Sequence, residues 1–432
     1  MTDVPVQAAT NKTPLTLGLS GFTYADLYDP KRLKDLDQEF DQAVAAIDPQ
    51  LLADFSAYRK NQGEGLAPEV ISDLLVKMAP HVGLFVAKLF KVEPLIASQK
   101  AAIRAQFDSV FSFKSDFVAK SASRYKGEDP QTWDLPTVLK CFNTLLDACG
   151  DPDALSHDRE AAVAQLGMTI KRAQDEQNLD VARALRGRLM AHTHAPSVFK
   201  DILAGDDLEL LNGLSDVIGR WTFASVRVDD FQPETRQWVS FKTPAKTDFG
   251  HLVHHDTAEI DGYEVWKCSE NHHRRRDGFG LTDPRFPQRR VLYEVDHCIY
   301  CHDRDTDSCS KGMRNKKDGT FKTNPLGITI TGCPLEEKIS EMHTLKRQGD
   351  NLGALALITI DNPLCPGTGH RICNDCMKGC IYQKTQPVNI PQIETNVLTD
   401  VLFMPWGFEI YSLLTRWNPL NVKRPHALPY NG

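Results

Sequence analysis

The chain has 432 residues, of which 41% are hydrophobic and 25% charged, with a formal net charge of −7 at pH 7. Those proportions belong to a globular protein of two or three domains, not to a disordered or fibrous chain. The negative balance offers no general attraction to nucleic acid or to an anionic membrane.

Residues 1–14 are polar and read as a flexible lead-in, without the hydrophobic core of a secretory signal. The longest apolar stretches, Val82 to Phe90 and Val401 to Leu414, are too short to span a bilayer, and Lys88 and Glu409 interrupt them. A cytoplasmic chain is expected, with neither a membrane nor a nucleic acid as partner. Residues 15–219 read as an α-helical accessory domain. Pro68-Glu69 suits the first turn of a helix, and Val70, Ile71, Leu74, Leu75 and Met78 follow at helical spacing. Further helices are expected over Pro94 to Phe107, Leu135 to Ala148, Arg159 to Gln174 and Leu179 to Ala191. Gly127-Glu128-Asp129-Pro130 and Cys149-Gly150-Asp151-Pro152 act as breakers. No catalytic signature lies in this half. His192 and His194 flank a helix end, where capping or exposure explains them better than a metal.

Residues 220–295 change in texture. TFASVRV, RQWVSFKT, YEVWKC and RRVLYEV are rich in β-branched and aromatic residues and partly alternate, which predicts a small β-rich segment. His251, His254 and His255 beside Asp256 read as a polar loop before a metal site. The basic run from His272 to Arg276 reads as a solvated loop.

Eight of the eleven cysteines then fall between Cys298 and Cys380. Cys298, Cys301 and Cys309 are spaced C-x2-C-x7-C; Cys373, Cys376 and Cys380 are spaced C-x2-C-x3-C. Cys333-Pro334 and Cys365-Pro366 stand between the groups. In a reducing compartment such clusters are metal ligands more often than disulfides. Zinc is one reading, since C-x2-C pairs build tetrahedral sites. Iron–sulfur is favoured, because each group carries a third cysteine and the Cys-Pro elements are typical of cluster ligands. Cys141, Cys149 and Cys268 lie outside and read as free thiols. After Cys333 a helical run with Ile339, Met342 and Leu345 on one face breaks at Gly349-Asp350, and a second helix reaches about Ile360. A last helix is expected near Gln392 to Phe403. Residues 405–432 read as a proline-rich linker toward a missing flavin domain.

From Cys298 to about Asn396 the chain resembles the N-terminal iron–sulfur domain of the glutamate synthase small (β) subunit and of dihydropyrimidine dehydrogenase. The stretches that carry the resemblance are HCIYCH, TGCPLEEKISE, the helix pair ending DNPLCP, and CMKGC followed by VNIPQIE. It implies an α-helical domain over residues 296–404 with two interleaved [4Fe–4S] clusters. Cys298, Cys301, Cys309 and Cys380 would hold one, and Cys333, Cys365 and Cys376 the other. The second cluster's remaining ligand need not be a thiolate. Aligning through Val388-Asn389-Ile390 puts Glu394 there, and Cys373 is the other candidate. Relative to the family, the loop between Cys309 and Cys333 carries an insertion that includes the basic NKKDG segment. Arg371 and Lys378 near the second group would act on potential through charge alone.

No G-x-G-x-x-G follows a strand, so no complete active site is expected in this chain. The resemblance implies FAD and NAD(P)H on a following domain or on a partner subunit, with a further redox acceptor beyond. The expected function is electron transfer as the N-terminal part, or partner subunit, of such an oxidoreductase. A zinc-stabilised interaction module and a stand-alone iron–sulfur carrier are the alternatives. The expected fold is mostly α: an N-terminal helical domain, a small β-rich segment, then the two-cluster domain.

Overall fold

The computed structural model describes residues 14–269, 273, 278–280, 284–304, 307–369 and 372–422. The lead-in, most of the 272–276 run, Arg371 and the last ten residues therefore lie outside the described residues. The fold is mostly helical. Its helices of ten residues or more are α1 (Pro30–Ala45), α2 (Pro49–Asn61), α3 (Pro68–Phe90), α4 (Glu93–Gln106), α5 (Leu135–Cys149), α6 (Arg159–Asp175), α7 (Leu179–Ala191), α8 (Asp207–Arg227), α9 (Gln288–His297), α10 (Ile339–Gln348), α11 (Asn351–Asp361), α12 (Ile390–Leu402) and α13 (Gly407–Arg416). Aspartate caps followed by proline open several of them. Asp29 accepts from Lys31 N–H, Asp48 from Leu51 N–H and Asp134 from Thr137 N–H, each satisfying a donor the helix leaves free.

The chain divides into two units: residues 1–101 with 245–432, and residues 102–244. The expected single helical domain over 15–219 is thus split near Ala101. The physical reason lies in α3 and α11. Helix α11, NLGALALITID, is apolar on every side, and Asn351 through Ile360 are all buried. It packs on α3, α10, α12 and α13. Gly83 of α3 and Gly353 of α11 let the two helices meet closely: a Cβ on Gly83 would stand 3.0 Å from Gly353 N, and one on Gly353 would stand 3.0 Å from Ala79 O. Helix α3 passes the length and composition test for a membrane span, contrary to the expectation for that stretch. Here Leu75, Met78, Val82, Val86 and Leu89 are fully buried within the unit. Lys346, wholly buried, donates to Asp400 at 2.7 Å and to Asn351 at 2.9 Å, and so ties α10, α11 and α12 together.

In the second unit α8 is the central helix and packs on α5, α6 and α7. Its capping box pairs Asp206 with Glu209. Fully buried Trp221 stacks on Phe142 at 3.8 Å.

The β-rich expectation over 220–295 is corrected. Only one hairpin forms there among the described residues, β1 (Asp256–Ile260) and β2 (Tyr263–Lys267), paired antiparallel with Ile260 opposite Tyr263. TFASVRV finishes α8, RQWVSFKT makes short 3-10 turns, and RRVLYEV lies in α9. Burial overrode β propensity: Leu210, Leu214, Ile218 and Trp221 continue one buried stripe along α8, and Val291, Leu292 and Val295 bury α9 against α12. The linker expectation over 405–432 is also corrected, because α13 occupies Gly407–Arg416 and Trp417, Leu420 and Val422 behind it are buried.

Candidate metal centres

The cysteine loops hang on the helices of the first unit. Tyr300, inside C-x2-C, has φ 54°, Glu336 after Cys333 has φ 51°, and Asn374 between Cys373 and Cys376 has φ 60°. Each left-handed non-glycine residue costs about 1–2 kcal/mol, and such strain collects where a loop must present particular atoms. At Tyr300 it turns a backbone N–H toward sulfur, donating to Cys298 Sγ at 3.4 Å.

Three glycines close the loops on one another. A Cβ on Gly312 would stand 2.5 Å from Thr331 O, one on Gly332 2.4 Å from Gly312 N, and one on Gly379 2.8 Å from Ser308 O. This joint lets Cys333 N–H donate to Cys309 O at 2.9 Å, linking the backbones of the two groups. Further anchors come from the helices. His302 Nδ1 pairs with Ser340 Oγ of α10 at 2.6 Å, and Glu341 accepts from Ser72 of α3 at 2.6 Å. Glu294 of α9 accepts from Asn389 N–H at 3.0 Å, fixing the VNIP turn.

The thiols fall into two sets. Cys309 has Cys298, Cys380 and Cys301 as electrostatic neighbours. Cys376 has Cys333, Cys373, Glu337 and Glu394, and Cys365 has Glu394 and Glu337. Cys365 has carboxyls and no thiol among these neighbours. All the thiols are free, and Cys301, Cys309, Cys333, Cys365, Cys376 and Cys380 are buried. Burial pushes Cys298 up to about 12 and Cys301 and Cys333 up to about 11, and it raises the others as well. Metal-free, the sets are therefore protonated, and loading a metal must release protons. Among the described residues, no three His, Cys, Asp or Glu side chains converge closely enough to hold a single ion.

At the second set Glu394 is buried and accepts from Asn362 at 3.2 Å, whereas Cys373 is exposed. Glu337, which sequence reasoning missed, is buried beside Glu394. Burial raises both carboxyls and their mutual repulsion raises Glu394 further, so the pair retains a proton in the absence of a cation. The Glu-Glu after Cys-Pro-Leu was its only signal. Asp307, also missed, lies half-buried beside Cys309, and desolvation pushes it up to about 6.

The donor chemistry, soft thiols beside buried carboxyls, suits a thiophilic metal. Around Cys309 the neighbouring thiols are Cys298, Cys301 and Cys380, and around Cys376 they are Cys333 and Cys373. An N–H donor reaches sulfur at Cys298. The other candidates do not assemble. His251 pairs with Asp248 at 2.8 Å, while His255 stacks on Trp266. His192 Nδ1 accepts from His194 and Ala195 N–H and so caps the following turn. Lys378 pairs with Asp375.

Residues 17–91 match the family described as the RP005 N-terminal alpha-helical domain. Two proteins of Rickettsia prowazekii (strain Madrid E) are similar in sequence. Uncharacterized protein RP006 is 69% identical over 58 residues, which are 13% of this chain and only 8% of that protein. Uncharacterized protein RP005 is 26% identical over 323 residues, 73% of this chain and 94% of that protein. No solved structure matches.

Proposed function

We propose that this chain relays electrons through two [4Fe–4S] clusters, in the cytoplasm, as the N-terminal part or partner subunit of an FAD- and NAD(P)H-dependent oxidoreductase. The observation that supports the reading is the company the thiols keep: Cys309 has Cys298, Cys301 and Cys380 as neighbours, and Cys376 has Cys333 and Cys373. Cys298, Cys301, Cys309 and Cys380 would hold one cluster; Cys333, Cys365 and Cys376 the other, with Glu394 as its fourth ligand ahead of exposed Cys373. Thiolates on one zinc ion crowd within about 4 Å of each other. In a four-iron cube each thiolate takes its own iron. Bound clusters would supply one-electron transfer.

The protein's own part is placement and potential. The N–H donor to Cys298 would stabilise negative sulfur and raise the reduction potential. Burial of the thiols keeps out water and oxidants, and the glycine joint holds the two sets at a fixed separation.

Anaerobic purification with iron and sulfide analysis tests this. About eight irons per chain and an EPR signal on reduction are expected. Stoichiometric zinc, with no iron bound even after reconstitution, overturns it in favour of a zinc-stabilised module.

A further inference from the structure

The insertion between Cys309 and Cys333 is built as a bridged ribbon. Arg314 pairs with Phe321 and Thr323 with Thr329. Met313 N–H donates to Ile330 O at 3.0 Å and Lys322 N–H to Met313 O at 2.8 Å. The guanidinium of Arg314 lies 3.8 Å from the centre of the Phe321 ring. Beside this ribbon runs an open cleft of ≈ 960 Å³. Its cations are Arg314, Lys316, Lys322 and Lys384, all exposed, and no acidic residue lines it. No ion pair engages these four among the described residues, in a chain whose net charge is −7. The inner wall is the first thiol set's own ligand loop. Ser308 precedes Cys309, Ile381 and Tyr382 follow Cys380, and Tyr382 stacks on His297 at 4.1 Å.

We propose that this cleft docks a small acidic electron-carrier protein against the Cys298–Cys301–Cys309–Cys380 site. The inference rests on the electron-transfer reading and adds the partner's charge and place of contact. An ordered ribbon presents the cations without the cost of ordering a loop. Unopposed positive charge around partly exposed Ile381 gives the plan of a transient redox interface: an apolar contact for coupling, ringed by charge for steering. A nucleotide is less well served, because no glycine-rich turn lines the cleft and the helix that starts at Ser308 is a single turn. A single-stranded nucleic acid is less well served, because Tyr382 is the cleft's sole aromatic lining residue among those described and offers one stacking platform.

The full chain, purified anaerobically, is titrated with a plant-type [2Fe–2S] ferredoxin, which is acidic, and with a basic cytochrome c of similar size. Binding is read by calorimetry, which needs no redox event. The ferredoxin is expected to bind, weakening about tenfold or more between about 20 mM and about 300 mM salt. The triple variant Lys316→Glu, Lys322→Glu, Lys384→Glu should lose about tenfold or more at low salt. Its folding is checked by circular dichroism, and the salt series on the wild type stands if it misfolds. Equal affinity for both probes, salt-independent binding, or a preference for a single-stranded oligonucleotide overturns the proposal. Iron analysis of the same sample judges the cluster reading separately: absent iron with salt-sensitive ferredoxin binding sinks the clusters and keeps the docking site.

Discussion

Gly379 offers a test of the joint that organises both thiol sets. It sits between Cys376 of one set and Cys380 of the other, in the turn Asp375–Gly379. A methyl group there would stand 2.8 Å from Ser308 O, 3.0 Å from Gly332 Cα and 3.4 Å from Cys309 Cα. Two of these contacts are tighter than carbon normally tolerates, and all three are backbone atoms that cannot swing aside. Its φ is not in the left-handed region, so Gly379→Ala probes packing alone. Overpacking costs about 1–3 kcal/mol. Alanine's smaller unfolded-state entropy returns about 0.4–1 kcal/mol. The net loss is therefore about 1–2 kcal/mol, or roughly 2–8 °C in Tm. Gly187→Ala, in α7, is the matched control: Gly187 is exposed, with nothing within 4 Å of the added carbon. It should stabilise by about 0.5–1 kcal/mol. Thermal unfolding under anaerobic conditions, with iron per chain measured alongside, reads both. Iron should fall in Gly379→Ala and stay constant in Gly187→Ala. A Gly379→Ala protein with unchanged Tm and full iron refutes the joint.

For the second site, Cys373→Ser should keep about eight irons while Glu394→Ala loses about four or alters that cluster's EPR signal; the reverse pattern makes Cys373 the ligand. His343 is wholly buried, neither ring nitrogen has a hydrogen-bond partner, and burial pushes it down to about 3. Below about pH 6.5 the unfolded chain protonates this ring and the folded chain does not, so stability falls with acid by about 1.4 kcal/mol per pH unit, about 2 kcal/mol at pH 5. His343→Leu should remove that part of the acid slope in denaturant titrations, and parallel slopes for both proteins count against it. Breaking the pair of wholly buried Lys346 with half-buried Asp400 by Lys346→Met should cost about 1–3 kcal/mol, below the figure for a fully buried pair, and adding Asp400→Leu should recover part of it; equal stability of the single and double variants argues against the pair.

Much of the helical framework was legible. Leu179 to Ala191 matches α7 to the residue, and the helix pair after Cys333 lies near its expected place, because cap, breaker and 3.6-residue period agree there. The neighbourhood of Cys380 and Cys309 was not legible from spacing, since seventy residues separate them and only the fold brings them together. The β-rich expectation failed where Val, Thr and aromatic residues served a buried helical face, as Val291 and Tyr293 do in α9. Glu337 was invisible because a carboxylate in a charged run reads as solvated, and only tertiary packing buries it. The unit division was equally hidden: nothing local in α3 says that its partner is α11.

That pairing bears on how the chain is made. Helix α3 leaves the ribosome long before α11, with roughly 270 residues between their ends. At about 5–20 residues per second, the interval is about 15–50 s. The whole of residues 102–244 is synthesised in that window and has its own core to form. Meanwhile an apolar helix of 23 residues waits without the surface that will cover it. Nascent chains halted before Asn351 should therefore need a holding chaperone, and release past Asp361 should end that need.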